Sequence, residues 1–353
     1  MTISAFDHAF LSSLLSDEEV ARAFSVEADL RAMLDFEAAL AASEADIGLI
    51  SQEAATRIGE VCASFSPDIA ELRDGTAKDG VVVPAFIKSL RRSVGSPHAE
   101  KVHLGATSQD VIDSSFVLRL KPLISTFRTR LDWLINRLGT LEAEQGSLPL
   151  MAHTRMQRAL PISVSDKLRM WREPLQRHLQ RLSELTPRVL VVQFGGPVGA
   201  RVGLEGRGDA IATELARRLE LHNGSSWQAE RDGLAELASW LSLVSGSLGK
   251  IGQDVALMTQ NEVSQAQLLG GGASSAMAHK SNPVQAEILV TLARFNATLL
   301  GGQHQALVHE NERSGAVWTL EWLILPQMLA ATGASLRTAT AVCNGLRFLA
   351  APL

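Results

Sequence analysis

Apolar residues recur along this chain at separations that alternate between three and four. Leu234, Leu237, Leu241, Val244, Leu248, Ile251, Val255 and Met258 keep that rhythm without a break, the pattern of a helix buried along one seam. Phe116, Leu120, Leu123, Phe127, Leu131, Leu134, Leu138 and Leu141 form a second stripe. A third runs through Val164, Leu168, Trp171, Leu175, Leu179, Leu182 and Leu185. Gly246, Gly249 and Gly252 cost helix propensity, so their place in a helix points to close approach by neighbouring helices. Pro161 fits the first turn of the helix that carries Trp171, where a missing N–H costs nothing. Pro174 lies inside that helix and predicts a kink or an interruption. Strand-like alternation is scarce, and VVVPAF at 81–86 is its best case. The pattern predicts an all-α protein built on long helices.

Past Met258 the rhythm lands on Glu262 and Gln265. Either an acid faces the buried side, which implies a partner or a function, or the helix leaves the bundle at that point. Spacing leaves both open. Three long helices seldom suffice for a chain of 353 residues, so the stripes also predict burial against other copies, a helical homo-oligomer.

Against this Ala/Leu-rich background three polar islands stand out. HLGATSQDVIDSS at 103–115 contains Thr107 with Asp110 three residues on, close to a capping box that starts the next long helix. The same geometry offers free N–H groups and the hydroxyls of Thr107 and Ser108 to an anion, with His103 just upstream as a donor. MAHTRMQRALPIS at 151–163 crowds His153, Arg155, Gln157 and Arg158 together. It reads either as a solvated helix entrance or as a two-pronged grip for a carboxylate. GGGASSAMAHKSNPVQ at 270–285 brings Ser274, Ser275, His279, Lys280 and Asn282 into one glycine-rich loop. It has no GxxxxGK[ST] and no preceding strand, which argues against a nucleoside triphosphate site. A single histidine without companions at ligand spacing does not make a metal site. Serine with a nearby lysine can instead make a base, or hold negative charge on a substrate.

Composition narrows the classes. The chain is 46% hydrophobic and 20% charged with a net charge of −5, which speaks against nucleic acid as a partner. Cys62 and Cys343 do not make a disulfide framework and read as small buried hydrophobes. The start lacks the marks of a signal peptide, and no apolar run is long enough to span a bilayer. A cytoplasmic protein without membrane partners is expected.

Taken together, the islands resemble the three signature regions of the fumarase/aspartase superfamily. TSQDVIDS is similar to the first, HTRMQRALPIS to the second and GASSAMAHKSNP to the third, GSSxMPxKxNP. Within the superfamily, MLDFEAALAASEADIGLI, QFGGPVGA, WQAERDGLAELASWL and HENERSGAVWTLEW resemble the 3-carboxy-cis,cis-muconate cycloisomerases. The resemblance implies a long-helix bundle assembled as a homotetramer with a shared central helical core, each active site drawn from three subunits. It divides the chain into an N-terminal helical domain at 1–105 and a central bundle at 106–353, with the usual small C-terminal domain largely absent.

The chemistry implied is closure of a lactone on a substituted muconate, a di- or tricarboxylate, in aromatic (protocatechuate) catabolism, without metal or organic cofactor. Ser274 matches the proton-transfer residue and Ser275 its neighbour. Lys280 and Asn282 match the carboxylate-binding pair, and Arg313 a second clamp. Two departures accompany the match. The second region reads Thr154, Arg155, Met156 and Gln157 where most members have THxQ, and Ala278 replaces the proline of the third. The missing histidine favours a cycloisomerase over an adenylosuccinate-lyase-like β-eliminating enzyme. A non-catalytic helical scaffold is the reading from outside enzymology. The glycines at 270–272 offer the loop a hinge.

Overall fold

A computed structural model of the chain describes residues 4–273, 277 and 281–350. Helices α1 (Ser12–Leu15), α2 (Glu18–Ala23), α3 (Val26–Asp46), α4 (Gln52–Ser64), α5 (Ile69–Asp79) and α6 (Val83–Val94) come first. The long helix α7 (Ser108–Gln145) leads to a hairpin of β1 (Pro149–Thr154) and β2 (Gln157–Ser163). Then follow α8 (Val164–Val189), α9 (Gly208–Leu219), α10 (Asp232–Met258), β3 (Ala266–Leu268), β4 (Gly272–Ala273) and β5 (Ser281–Asn282). The chain continues through α11 (Val284–Gln305), α12 (Gly315–Gly345) and β6 (Leu346–Phe348). The predicted helical character holds, and three two-stranded ribbons are added to it, β1–β2, β3–β6 and β4–β5.

All three apolar stripes become buried seams. Every member of the α10 stripe from Leu234 to Met258 is buried, as are Leu120 to Leu141 of α7. Helix α8 runs back along α7, with Arg128 bonded to Ser183 and Ser165 to Glu142. Helix α10 runs parallel to α7, bringing Arg231 to Asp113 and Trp240 to Phe127. Helix α11 returns along α10, and α12 runs again with α7, from Trp318 beside Asp113 to Cys343 beside Arg137. Gly249 and Gly252 allow the α10–α11 contact. A Cβ on Gly252 would lie 2.4 Å from the Ala286 carbonyl oxygen, and one on Gly249 2.5 Å from Ala293 Cβ. One apolar core runs from Val20 to Phe348.

Several local expectations change. Helix α10 ends at Met258, so the rhythm stops there: Glu262 falls in the exposed turn beyond it, whereas Gln265 is buried in the stretch that follows. Residues 81–86 lead into α6, which begins at Val83, instead of forming a strand: Pro84 occupies its first turn, where its fixed φ favours the helix. Pro161 belongs to β2, opposite Met151. The helix beyond begins only after Ser163, whose side chain and that of Asp166 cap it reciprocally. A two-stranded ribbon tolerates the proline because both strands are edges. Helix α8 passes through Pro174 without interruption.

Candidate active site

The first polar island lies where α7 begins. Asp110 Oδ2 accepts from the Thr107 backbone N–H at 2.9 Å, the capping interaction expected there. The carboxylate also takes N–H bonds from Gln193 Nε2, Gly195 and Gly196, at 2.8–2.9 Å. One buried acid therefore fastens the 193–196 stretch onto the start of α7. Burial pushes the Asp110 carboxyl up to about 6 against the pull of those donors.

Beside this junction is a cleft of about 420 Å³ lined by Ile87, Lys88, Arg91, His103, Thr107 and Ser108. Two cationic side chains, an imidazole and a helix N-terminus converge there, an environment suited to a carboxylate. His103 is held at φ +62°, and its Nδ1 lies 2.6 Å from Oε1 of buried Glu37 on α3. Burial disfavours the imidazolium, but the charge and hydrogen bond of Glu37 outweigh it, with Asp110 assisting and Arg91 opposing. The net shift is upward.

Arg313 is brought to the same end of the molecule. Its guanidinium donates to Gln109 Oε1, the Pro197 carbonyl and Gln228 Oε1 at 3.1–3.2 Å while the residue stays exposed. Beneath it, Arg231 is buried and paired with Asp113 at 2.6 Å and with Glu321. Trp318 donates to Asp113, and Trp227 stacks against the guanidinium of Arg231. Desolvation alone would depress Arg231, but its two carboxylate partners push it upward overall.

The second and third islands lie at the opposite end of the bundle. The 151–163 segment is not a plain helix entrance but the β1–β2 hairpin. Its tip is Arg155 and Met156, both at positive φ (+48° and +65°). That is a two-residue primed-type turn made without glycine or asparagine. His153, Arg155 and Gln157 are all exposed on it. The base of the hairpin touches the third island's approach, where Gln265 Nε2 donates to the Met151 carbonyl.

Asn282 lies in β5 opposite Gly272 of β4. It borders a cleft of about 960 Å³, with Met277, Ser281, Glu287 and Arg294, between the end of α10 and the start of α11. Ser274, Ser275, His279 and Lys280 lie outside the described residues. The glycines ahead of them have a packing role besides any hinge. A Cβ on Gly271 would meet Ser281 Oγ at 2.0 Å, and one on Gly272 would meet Val284 at 2.6 Å. Gly270 sits at φ +80°, where a side chain is strained.

The described parts of the islands therefore do not meet within one chain. Thr107 and Ser108 open α7, whereas the hairpin and Asn282 lie beyond its far end, a helix of 38 residues. At 1.5 Å per residue that is about 57 Å.

A family model described as Lyase matches residues 15–296. The chain belongs to the lyase family. It is 38% identical over 330 residues to the 3-carboxy-cis,cis-muconate cycloisomerase of Pseudomonas aeruginosa, covering 92% of this chain and 72% of that one. A 3-carboxy-cis,cis-muconate lactonizing enzyme from Pseudomonas putida superposes with a TM-score of 0.92 at 36% identity, covering 97% of this chain and 78% of that one. An N-acetyl-S-(2-succino)cysteine lyase from Enterococcus italicus is 31% identical, over 97% of this chain and 76% of its own length. The resemblance read from the signature regions is borne out, and the chain is an enzyme of the cycloisomerase type.

Sequence reasoning found His103, Thr107 and Ser108 but missed Glu37, Lys88 and Arg91. A signal for Glu37 was present. Met33, Glu37, Leu40 and Glu44 keep the three-four spacing of a buried stripe, and an acid at a core position calls for an explanation. No helix among the described residues is long and apolar enough to cross a membrane.

Proposed function

We propose that this lyase-family chain is a 3-carboxy-cis,cis-muconate cycloisomerase, acting in the cytoplasm in protocatechuate breakdown. One observation carries the reading furthest: the cleft that gathers Lys88, Arg91, His103, Thr107 and Ser108 at the start of α7, in a chain so like the enzymes named for that substrate. A polyanionic muconate supplies the charge such a cleft accepts.

In this reading one substrate carboxylate oxygen bonds to a carbon of the conjugated double bond. The displaced electron pair moves into the neighbouring carboxylate as an aci-carboxylate. Ser274 then delivers its hydroxyl proton to the adjacent carbon and recovers one from solvent. Lys280 and Asn282 hold the carboxylate where charge accumulates, and Arg313, Ser275, His153 and Gln157 surround the substrate. Stabilising charge that develops only in the transition state is what accelerates the step. Arg155, at the hairpin tip where most of the superfamily has histidine, meets a further anionic substituent. The separation of the islands along α7 supports a homotetramer in which each pocket draws on three copies.

The test follows muconate absorbance. Purified protein should consume 3-carboxy-cis,cis-muconate, and Ser274→Ala should retain the oligomer and its helicity while kcat falls by a factor on the order of 10²–10⁴. No loss of absorbance with the wild-type protein would end the assignment. The Enterococcus italicus relative, named as a lyase, favours β-elimination as the second reading, for which a succinylated thiol is the substrate to try.

A further inference from the structure

Glu37 and His103 meet across 66 residues of sequence, and the contact is built with some care. Glu37 is 1% exposed on the apolar face of α3, between Phe36 and Leu40. Its Oε1 faces His103 Nδ1 at 2.6 Å, and its Oε2 has no partner. The other ring nitrogen, Nε2, makes no hydrogen bond among the described residues, and the histidine borders the cleft shared with Lys88, Arg91, Thr107 and Ser108. A non-glycine residue at φ +62° is uncommon and is retained where the surroundings over-determine it.

Stability alone does not account for the acid. A buried ion pair contributes little net stability over a well-packed apolar pair, because desolvation offsets the attraction. Packing of α3 would be served as well by leucine. What the carboxylate adds is direction and charge: it fixes which ring nitrogen points away from it.

We propose that Glu37 is a positioning residue, accepting from His103 Nδ1–H so that the protonated Nε2 of His103 faces the cleft as a cationic donor to a substrate carboxylate. The donor identified here deepens the cycloisomerase reading and rests on it for the substrate. Three elements present charge to His103: Glu37 from α3, Arg91 from α6 and Asp110 from the start of α7. Lys88 of α6 borders the same cleft. Glu37 and Asp110 favour the imidazolium and Arg91 opposes it, with Glu37 the strongest of the three.

The sign of the pH effect follows. The cation is present below the raised imidazolium pKa and is lost as pH rises through it, taking the donor with it. Removing the charge of Glu37 lowers that pKa, so the alkaline limb of kcat/KM, which reports free-enzyme groups, moves to lower pH.

The experiment uses the full chain with ¹³Cε1-labelled histidine, the His103 signal being assigned by its absence in His103→Asn. In Glu37→Gln the His103 titration should move to lower pH. KM for carboxymuconate, measured between the His103 titration midpoints of the two proteins, should rise about tenfold, with kcat changed much less, the difference between a charged and a neutral contact. Glu37→Asp should retain part of both effects, and it carries the test if the glutamine variant does not fold. An unmoved His103 titration, or an unchanged alkaline limb in an active enzyme, overturns the proposal. If the wild-type protein does not turn over carboxymuconate, the substrate assignment fails, and the labelled titration still decides the role of Glu37.

Discussion

Glu44, two turns after Glu37 on α3, is fully buried, and neither of its carboxylate oxygens has a hydrogen-bond partner. Desolvation, with the nearby charge of Glu37, pushes it up to about 9 from an ordinary 4.5. The folded chain therefore keeps a proton that the unfolded chain releases above the ordinary carboxylate pKa, and folding stability falls as pH rises from there toward 9. Glu44→Gln removes this titration while keeping the shape of the protonated acid. Its melting temperature should exceed the wild-type value at pH 8 and approach it at pH 5, as calorimetry at the two pH values would read.

Asp110 is the opposite case, an acid whose four N–H donors are all protein groups. Asp110→Ala strands those donors in the interior. It should cost on the order of 3 kcal/mol of stability, since each unsatisfied buried group carries its own desolvation penalty. Denaturant unfolding measures that loss. The sequence exposed the local half of this residue's role, the helix cap, because a cap is written within three positions. The bonds to residues 193–196 were beyond its reach, since no short-range pattern names a partner more than eighty residues away. Glu37 and His103 stayed unpaired in the reading for the same reason.

At the scale of elements, α10 shows how packing overrides propensity. Alanine at Gly252 would gain about 1 kcal/mol of helix propensity. Its methyl would nevertheless press on the Ala286 carbonyl, a backbone atom with no rotamer to escape into. Gly252→Ala should lose about 1–3 kcal/mol of stability, the usual cost of overpacking, against any gain from propensity, by the same unfolding measurement. The close α10–α11 contact was legible in Gly249 and Gly252, whereas Gly246, where a Cβ would meet nothing within 4 Å, has no such packing role. The hairpin at 149–163 was not legible. Its turn is Arg155–Met156, not a glycine or asparagine pair, and Pro161 reads as a helix start. Residues 81–86 misled in the other direction, three valines suggesting a strand where a proline was already setting the first turn of α6. Helices α11 and α12 left no stripe as clean as the others, because Asn296 and Gln303 interrupt the buried face of α11 and alanine, glycine and threonine fill much of that of α12.

The whole molecule separates the residues proposed for its chemistry. The anion cleft of the first island and the Asn282 cleft of the third lie toward opposite ends of α7, a helix about 57 Å long at the usual rise. If pockets form between copies, two differently damaged chains can repair each other. Assayed at low substrate, where a lost His103 contact lowers kcat/KM, chains carrying His103→Asn and chains carrying Ser274→Ala should each be much less active than wild type. Co-expressed or refolded together, they should regain part of the muconate activity, because some pockets combine an intact start of α7 with an intact serine loop. No such gain in a verified mixed oligomer would show that each chain supplies its own pocket. The bundle was readable from sequence because periodicity is local. The distribution of the site along it was not, because helix length becomes a distance only once the direction of each helix is known.

The rod-like α7 has a further consequence for how such a protein tolerates change. If the residues described at its opposite tips serve one reaction, as proposed, a lone subunit would be chemically silent however well it folds. Catalysis then depends on subunit concentration, so specific activity should fall on dilution while helicity persists. Substitutions far from any pocket that merely loosen subunit association would register as lost turnover.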